Sequence, residues 1–232
     1  MNRILNVGTS VLATVARLGF GERMAPIGPR PEKLLEIYEF EACPFCRKAR
    51  EALTVLSLDV IVYPCPKNGP RFRKKVMELG GKAQFPYLID PNTDTAMYES
   101  GDIINYLFKT YGQGRPPLLL SAGPFGDISA ILASLARVGQ GRFYSEARPP
   151  QQLLELYQYE GSPFCRLVRE LLCELEIPYI QRNVPINSPD RAAFVALSGR
   201  MRVPYLIDPN QDVAMFESAE IADYLHRTYA AR

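Results

Sequence analysis

The sequence predicts an α/β protein made of two tandem copies of one small unit, each a four-stranded mixed sheet with helices on both faces. Three observations carry this. Cys43-Pro-Phe-Cys46-Arg47 follows the β-prone run Glu36-Ile-Tyr-Glu-Phe40, and Ser162-Pro-Phe-Cys165-Arg166 follows Leu153-Leu-Glu-Leu-Tyr157. Pro86-Tyr-Leu-Ile-Asp-Pro-Asn92 recurs letter for letter as Pro204 to Asn210, and Ala96-Met-Tyr-Glu-Ser100 recurs as Ala214-Met-Phe-Glu-Ser218. The spacing between partners barely changes, which marks a duplicated unit.

The expected boundaries are an N-terminal segment over 1–30, a first domain over 31–112, a linker over 113–150 and a second domain over 151–232. Each copy is about 80 residues long, near the lower limit for a self-standing core, so the copies are expected to need each other or an added element. Residues 1–30 have a targeting-like bias, with no acid before Glu22. Yet Leu12-Ala-Thr-Val-Ala-Arg17-Leu-Gly resembles Leu132-Ala-Ser-Leu-Ala-Arg137-Val-Gly in mid-chain, so both are read as short apolar helices of the fold, at about 10–19 and 130–139, ended by glycine. Both are expected to lie buried against the domains and to join the copies about an approximate two-fold axis, in a chain that is itself a monomer.

Within copy one the first strand is expected at about 34–40. Pro44 fits the first turn of the following helix, where its missing N–H costs nothing. Phe45, Ala49, Ala52, Leu53 and Leu56 fall on one helical face, as do Phe164, Val168, Leu171, Leu172 and Leu175 in copy two, and both sets read as core stripes. Val60-Ile-Val-Tyr63 is a second strand, reached by a right-handed crossover that makes it parallel to the first. Arg71 to Leu79 suggests a charged surface helix ended at Gly80-Gly81. Phe85 to Asp90 and Thr95 to Tyr98 form an antiparallel hairpin about the turn Asp90-Pro-Asn92. Ser100 is expected to cap a last helix reaching Tyr111, with Ser218 in the same role in copy two. Glycine and proline over 112–126 mark the linker.

Composition narrows the function classes. Net charge is +2 and no basic cluster is interleaved with aromatics, so nucleic acid is not indicated. No apolar run is long enough to span a bilayer. Five cysteines, of which Cys65 and Cys173 have no counterpart in the other copy, do not form an extracellular disulfide framework, and a reducing compartment fits better. The chain has one histidine, His226, and one Cys-x-x-Cys pair, too few ligands for structural zinc, so no metal is expected.

The chemistry is concentrated at Cys43. A sulfur at a helix N-terminus meets unpaired backbone N–H groups and the positive end of the helix dipole, both of which favour a thiolate. Cys46, one turn on, can attack a mixed disulfide formed on Cys43, or can be an inert interior thiol. Pro86 and Pro204 read either as ordinary edge residues or as cis prolines that leave the backbone of Phe85 or Val203 free to bond an extended peptide. Glu99-Ser100 and Glu217-Ser218, at helix starts, suit either plain capping or a zwitterion whose carboxylate takes the N–H groups and whose ammonium takes the glutamate.

Taken together, Cys-Pro-Phe-Cys after a strand, Phe-Pro or Val-Pro before the third strand, and Glu-Ser at the last helix resemble the glutathione site of the thioredoxin superfamily, as found in the N-terminal domain of glutathione transferases and in glutaredoxins. The resemblance covers 32–111 and 151–229. The tandem order is similar to the plant, algal and cyanobacterial class of glutathione transferases built from two N-terminal domains, and the Cys-Pro-Phe-Cys copy also resembles the membrane-associated prostaglandin E synthases of type 2. The resemblance implies glutathione as cosubstrate, Cys43 as catalytic thiol with Cys46 resolving, and a serine-type role for Ser162. Glutathione would be held by Phe45, Phe85, Pro86, Glu99 and Ser100 in copy one, and by Phe164, Val203, Pro204, Glu217 and Ser218 in copy two. Two departures stand out. The all-helical domain that supplies the electrophile pocket is missing, and Ser162 cannot form a mixed disulfide, which leaves Cys165 as a buried structural thiol. The implied partners are small thiols and disulfides or glutathionylated proteins. The implied compartment is the chloroplast stroma in a plant or alga, or the cytoplasm in a cyanobacterium. The functions in contention are thiol transfer, conjugation of glutathione to an electrophile assisted by Ser162, and a non-catalytic glutathione- or partner-binding module.

Overall fold

The computed structural model describes residues 3–15, 21–118, 120, 137 and 139–231. Copy one contributes β1 (Leu35–Glu39), α2 (Pro44–Val55), β2 (Val60–Pro64), α3 (Phe72–Gly80), β3 (Tyr87–Asp90), β4 (Thr95–Met97) and α4 (Ser100–Tyr111), preceded by α1 (Arg3–Val15). Copy two repeats the order with β5 (Leu154–Gln158), α5 (Pro163–Glu174), β6 (Tyr179–Asn183), α6 (Asp190–Ser198), β7 (Tyr205–Asp208), β8 (Val213–Phe216) and α7 (Ser218–Tyr229). In each copy the first two strands are parallel and the hairpin pairs antiparallel on the other side, as the short connections require.

The two four-stranded units form one continuous sheet, ordered β4-β3-β1-β2-β6-β5-β7-β8. The join is antiparallel, with Ile61 of β2 opposite Ile180 of β6. These two isoleucines occupy the same place in the repeat, so a pseudo-two-fold axis passes between them. Each copy thereby covers the open edge that its second strand would otherwise expose.

Strand alternation divides the packing. Leu35, Ile37, Val60, Val62 and Leu88 share a core with Ala49, Leu53, Ile103 and Leu107 of α2 and α4. Tyr38 and Tyr87, with Tyr63 and Phe72, pack on the opposite face around Val76 of α3. Gly81 closes α3 with a φ of 76°, a left-handed cap that glycine adopts without a Cβ penalty. The letter-for-letter repeat at the hairpin has a structural reason. Asp90 accepts hydrogen bonds from the hydroxyls of Tyr106 (2.6 Å) and Tyr111 (2.5 Å) and from the backbone N–H of Asn92 (2.8 Å). Asp208 does the same for Tyr224, Tyr229 and Asn210. The buried carboxylate thus fastens the turn to the last helix.

Three expectations are corrected. Phe45 and Phe164 are not core residues: they are 44% and 46% exposed, while the other members of both stripes are buried. They lie in the first turn, before the helix has passed under the sheet. Ser100 and Ser218 are not caps. Glu99 and Glu217 hold the capping positions and make no side-chain cap bond, and the serines are the first helical residues. The N-terminal apolar helix runs from Arg3 to Val15, and its buried positions include the hydroxyl residues Ser10 and Thr14, while Val11, Leu12 and Val15 are exposed. Ser10 Oγ donates to the carbonyl of Pro163 (2.8 Å) and Thr14 Oγ1 to that of Gly161 (3.1 Å), so this helix seats on copy two, not on the copy that follows it. The part of that segment over 16–19, and the second apolar segment over 130–136 and 138, lie outside the described residues.

Crossing is general. The strand-like segment after α1 bonds copy two through Met24 N–H to Ile186 O (2.9 Å) and then returns to its own copy through Ala25 N–H to Val55 O (2.6 Å). The matching segment ahead of copy two bonds copy one through Tyr144 N–H to Lys67 O (2.9 Å) and returns through Ser145 N–H to Glu174 O (2.7 Å). Between the copies lies a buried charge network. Arg50 Nε donates to Glu160 (3.1 Å), and its counterpart Arg169 donates to Glu41 through Nε and Nη2 (3.1 Å each). Arg50 also bonds Glu39, and Arg169 bonds Gln158, which stands at the matching position (2.5 Å). Burial alone would raise Glu160, but Arg169 and Arg50 hold it down at about 2. Glu39 goes the other way: burial outweighs Arg50 and pushes it up to about 7.

Candidate functional site

Cys43 is the N-cap of α2, with extended backbone (φ −80°, ψ 122°), and Pro44 opens the helix behind it. The Cys43 sulfur accepts the backbone N–H of Cys46 at 3.4 Å. Ser162 repeats this geometry at the start of α5 (φ −74°, ψ 119°), its hydroxyl accepting the N–H of Cys165 at 3.3 Å. A side-chain hydrogen bond from Cys46 lowers the pKa of Cys43, and the backbone N–H groups of Cys46 and Phe45 add to it against the opposing effect of burial. Burial pushes Cys46 well above the ordinary thiol value. The pair is therefore polarised, Cys43 toward the thiolate and Cys46 toward the thiol. Cys43 keeps 5% exposure and Cys46 has none, so the accessible edge belongs to Cys43. Cys165 is fully buried.

The bonds Phe85–Pro86 and Val203–Pro204 are both cis. Neither Phe85 nor Val203 enters a strand ladder, and their backbone groups make no hydrogen bond among the described residues. Phe85 stands edge-on to Phe40, three residues before Cys43, with ring centroids 5.9 Å apart. Glu99 and Glu217 have φ of 64° and 70°, a region that residues with a side chain rarely adopt, and both copies keep it. Each carboxylate is held by the residue two before the cis proline: Glu99 by Gln84, and Glu217 by Arg202 at 2.8 Å. Ser100 is buried behind Glu99, and Ser218 is half-buried.

In copy two the predicted glutathione-binding residues line one pocket of about 210 Å³: Phe164, Val203, Pro204, Glu217 and Ser218, with Arg202, while Ser162 is buried and is not part of its lining. A groove of about 490 Å³ between α5 and α7 shares Phe164 and Ser218 with it. In copy one Arg73 lies against the aromatic rings of the matching region. Its guanidinium lies 4.7 Å from the Phe85 ring centroid and 5.3 Å from that of Phe40, and its Nε donates to Pro66 O at 2.7 Å.

Gln84, Arg202 and Arg73 escaped the sequence reading. Gln84 and Arg202 differ between copies and so fall out of the repeat. Arg73 sits in a charged helix whose surface face looked sufficient to explain it. Among the described residues no group of histidine, cysteine, aspartate and glutamate side chains could hold a metal, and no helix is long and apolar enough to cross a membrane.

Comparison with known proteins agrees with the duplication. The family described as glutathione S-transferase, N-terminal domain, matches residues 37–116 and again 156–232. Among curated proteins, the glutathione S-transferase-like protein tpcF of Aspergillus fumigatus is 33% identical over 70 residues, 30% of this chain and 31% of its own length. The glutathione S-transferase-like protein gedE of Aspergillus terreus is 30% identical over the same share of each chain. This chain thus spans under a third of the curated relatives it matches. Among solved structures, the Bombyx mori glutathione transferase BmGSTD1 gives a TM-score of 0.33 at 23% identity, over 37% of this chain and 39% of that one. Leishmania TDR1, described as a trimeric glutathione transferase, gives 0.31 at 14% identity, over 86% and 68%.

Proposed function

The chain belongs to the glutathione S-transferase N-terminal domain family, carrying that domain twice, and from this premise we propose that it is a glutathione-dependent thiol transferase working through Cys43. The observation that carries the reading is the polarised pair at the start of α2: a Cys43 sulfur with lowered pKa, hydrogen-bonded by Cys46, beside a cis-proline backbone with free hydrogen-bonding groups. Cys43 thiolate attacks a glutathione mixed disulfide at the glutathione sulfur. The S–S bond breaks, the substrate leaves as a thiol, and glutathione stays on Cys43. A second glutathione thiolate then attacks the glutathione sulfur of that mixed disulfide, releasing glutathione disulfide and restoring the Cys43 thiolate. In the alternative route Cys46 attacks the Cys43 sulfur, releasing reduced glutathione and leaving a Cys43–Cys46 disulfide that two further glutathione molecules reduce, forming glutathione disulfide. Phe85 backbone groups hold the cysteinyl part, while Glu99 and the N–H groups at Ser100 hold the γ-glutamyl end. On this reading the chain is one of the tandem class of plants, algae and cyanobacteria, acting in a reducing compartment, stroma or cytoplasm.

A second reading is favoured by the pocket in copy two. Ser162, at the start of α5 next to that pocket's Phe164, steadies the thiolate of a bound glutathione, and the groove beside Phe164 and Ser218 receives a small electrophile. Reduction of a glutathionylated peptide, run beside conjugation to a chlorodinitrobenzene-type electrophile, tests the two. Thiol transfer lost in Cys43→Ser supports the first reading. Conjugation retained in that variant and lost in Ser162→Ala supports the second.

A further inference from the structure

Between the two copies the buried charge network leaves a cavity of about 10 Å³, room for one particle of the size of a water molecule or a chloride ion. Glu41, Arg47, Arg50, Arg137, Arg166 and Glu170 line it. Most of these side chains are spoken for. Arg47 Nε bonds Glu51 (3.1 Å), Arg137 bonds Glu170 through Nε (2.6 Å) and Nη2 (2.5 Å), and Arg50 bonds Glu39 and Glu160. Glu41 is taken by Arg169 and Arg50.

Arg166 is left over. Its side chain is 2% exposed, its Nη1 donates to the carbonyl of Ser10 (2.8 Å), and its Nη2 has no partner. Among the described residues it comes no nearer to a carboxylate than 4.0 Å, from Nε to Glu41. Burial, aided by the like charge of Arg47, its counterpart in copy one, outweighs Glu160 and Glu41 and brings the Arg166 guanidinium down to about 9. A buried cation with an unused donor, beside a second cation and next to a small void, has Glu41 and Glu160 nearby but no hydrogen-bonded counter-ion of its own.

We propose that this cavity binds one monatomic anion of chloride's size, hydrogen-bonded by Arg166 Nη2 and flanked by Arg47. A water would satisfy the hydrogen bond but not the charge, whereas a halide satisfies both. Because the cavity is lined from both copies, the ion ties copy one to copy two and makes the stability of the whole chain depend on halide.

Two measurements on the full chain test this. The first is diffraction from crystals grown in sodium bromide, recorded at the bromine absorption edge. An anomalous peak in the cavity within hydrogen-bonding distance of Arg166 is expected; density without anomalous signal is water and overturns the proposal. The second is thermal unfolding in sodium chloride against sodium gluconate at equal ionic strength. The midpoint is expected to rise by about 2–4 °C in chloride, and to be insensitive to the anion in Arg166→Met. Equal midpoints in the native chain, or an undiminished chloride shift in Arg166→Met, overturn it. If Arg166→Met fails to fold, the bromide experiment decides alone.

Discussion

Arg50 of copy one reaches across the molecule to Glu160 of copy two, Nε to carboxylate at 3.1 Å, and both side chains are buried. The symmetric partner bond, Arg169 to Glu41, closes the network on the other side of the axis. The join between the copies is thus built from charges that are expensive to bury singly and are offset here largely by pairing with one another.

The first prediction follows directly. Arg50→Met removes the donor to Glu39, Glu41 and Glu160 together and is expected to cost about 3–5 kcal/mol, because it leaves carboxylates buried without their cation. Urea unfolding of the native and variant chains measures it. The variant is expected to unfold in one transition at lower urea, since the copies share one sheet and one main core that draws on both.

Glu39 sets a pH dependence. Its folded value, about 7, lies above its ordinary value of 4.5, so the fold prefers the protonated carboxyl. The sign is that this contribution is fully present below pH 4.5 and is lost as pH rises through 7. Glu39→Gln, the residue that copy two already carries at Gln158, is expected to remove that slope. Unfolding midpoints at pH 5 and pH 8 are expected to draw closer in the variant, with the gain at the higher pH.

Cys46 tunes Cys43 through its side-chain hydrogen bond. Cys46→Ala is expected to raise the alkylation pKa of Cys43 and slow its reaction near neutral pH. Cys46→Ser keeps a donor and is expected to shift it less, while preserving a monothiol route with external glutathione. Cys43→Ser is expected to bring glutathione-disulfide reduction to background, and Cys165→Ser to leave it unchanged. The pH profile of iodoacetamide labelling, read beside the reduction assay, checks all four. An ordinary thiol pKa at Cys43 with no reductase activity in the native chain would leave the glutathione-binding module in place of the transferase.

Ser162→Cys tests whether copy two retains the machinery. Its hydroxyl already accepts the Cys165 N–H as the Cys43 sulfur accepts that of Cys46. The variant is expected to gain a second rapidly alkylating thiol and to restore reductase activity when combined with Cys43→Ser.

Asp90 carries a structural prediction. Burial alone would raise its pKa, but the hydroxyls of Tyr106 and Tyr111, with Asn92, hold it below the ordinary carboxylate value. Its contribution is present above the unfolded value and is lost as pH falls through the folded one. Asp90→Ala is expected to destabilise by about 2–3 kcal/mol, leaving two tyrosine hydroxyls and a turn N–H without their acceptor. Thermal unfolding at neutral pH measures the loss.

The sequence by itself determined the elements of each copy and the motif residues at their ends, because these depend on near neighbours along the chain. The alternation at Leu35 and Ile37, the proline behind Cys43 and the turn at Asp90-Pro-Asn92 act within a few residues. Repetition also doubled every local signal. The misplaced residues were those whose surroundings come from elsewhere. Phe45 and Phe164 share the period of their helices and were assigned to the core, yet the sheet does not reach the first turn. The charges Glu41, Arg47 and Arg50 recur in copy two as Glu160, Arg166 and Arg169, with Glu39 replaced by Gln158, but nothing local along the chain says that they are buried. Only the pairing of Ile61 with Ile180 turns the two sets toward each other and buries them. That pairing is between strand edges, whose free backbone groups look the same for any sequence, and so tertiary structure alone decided that two copies of one domain would share one sheet.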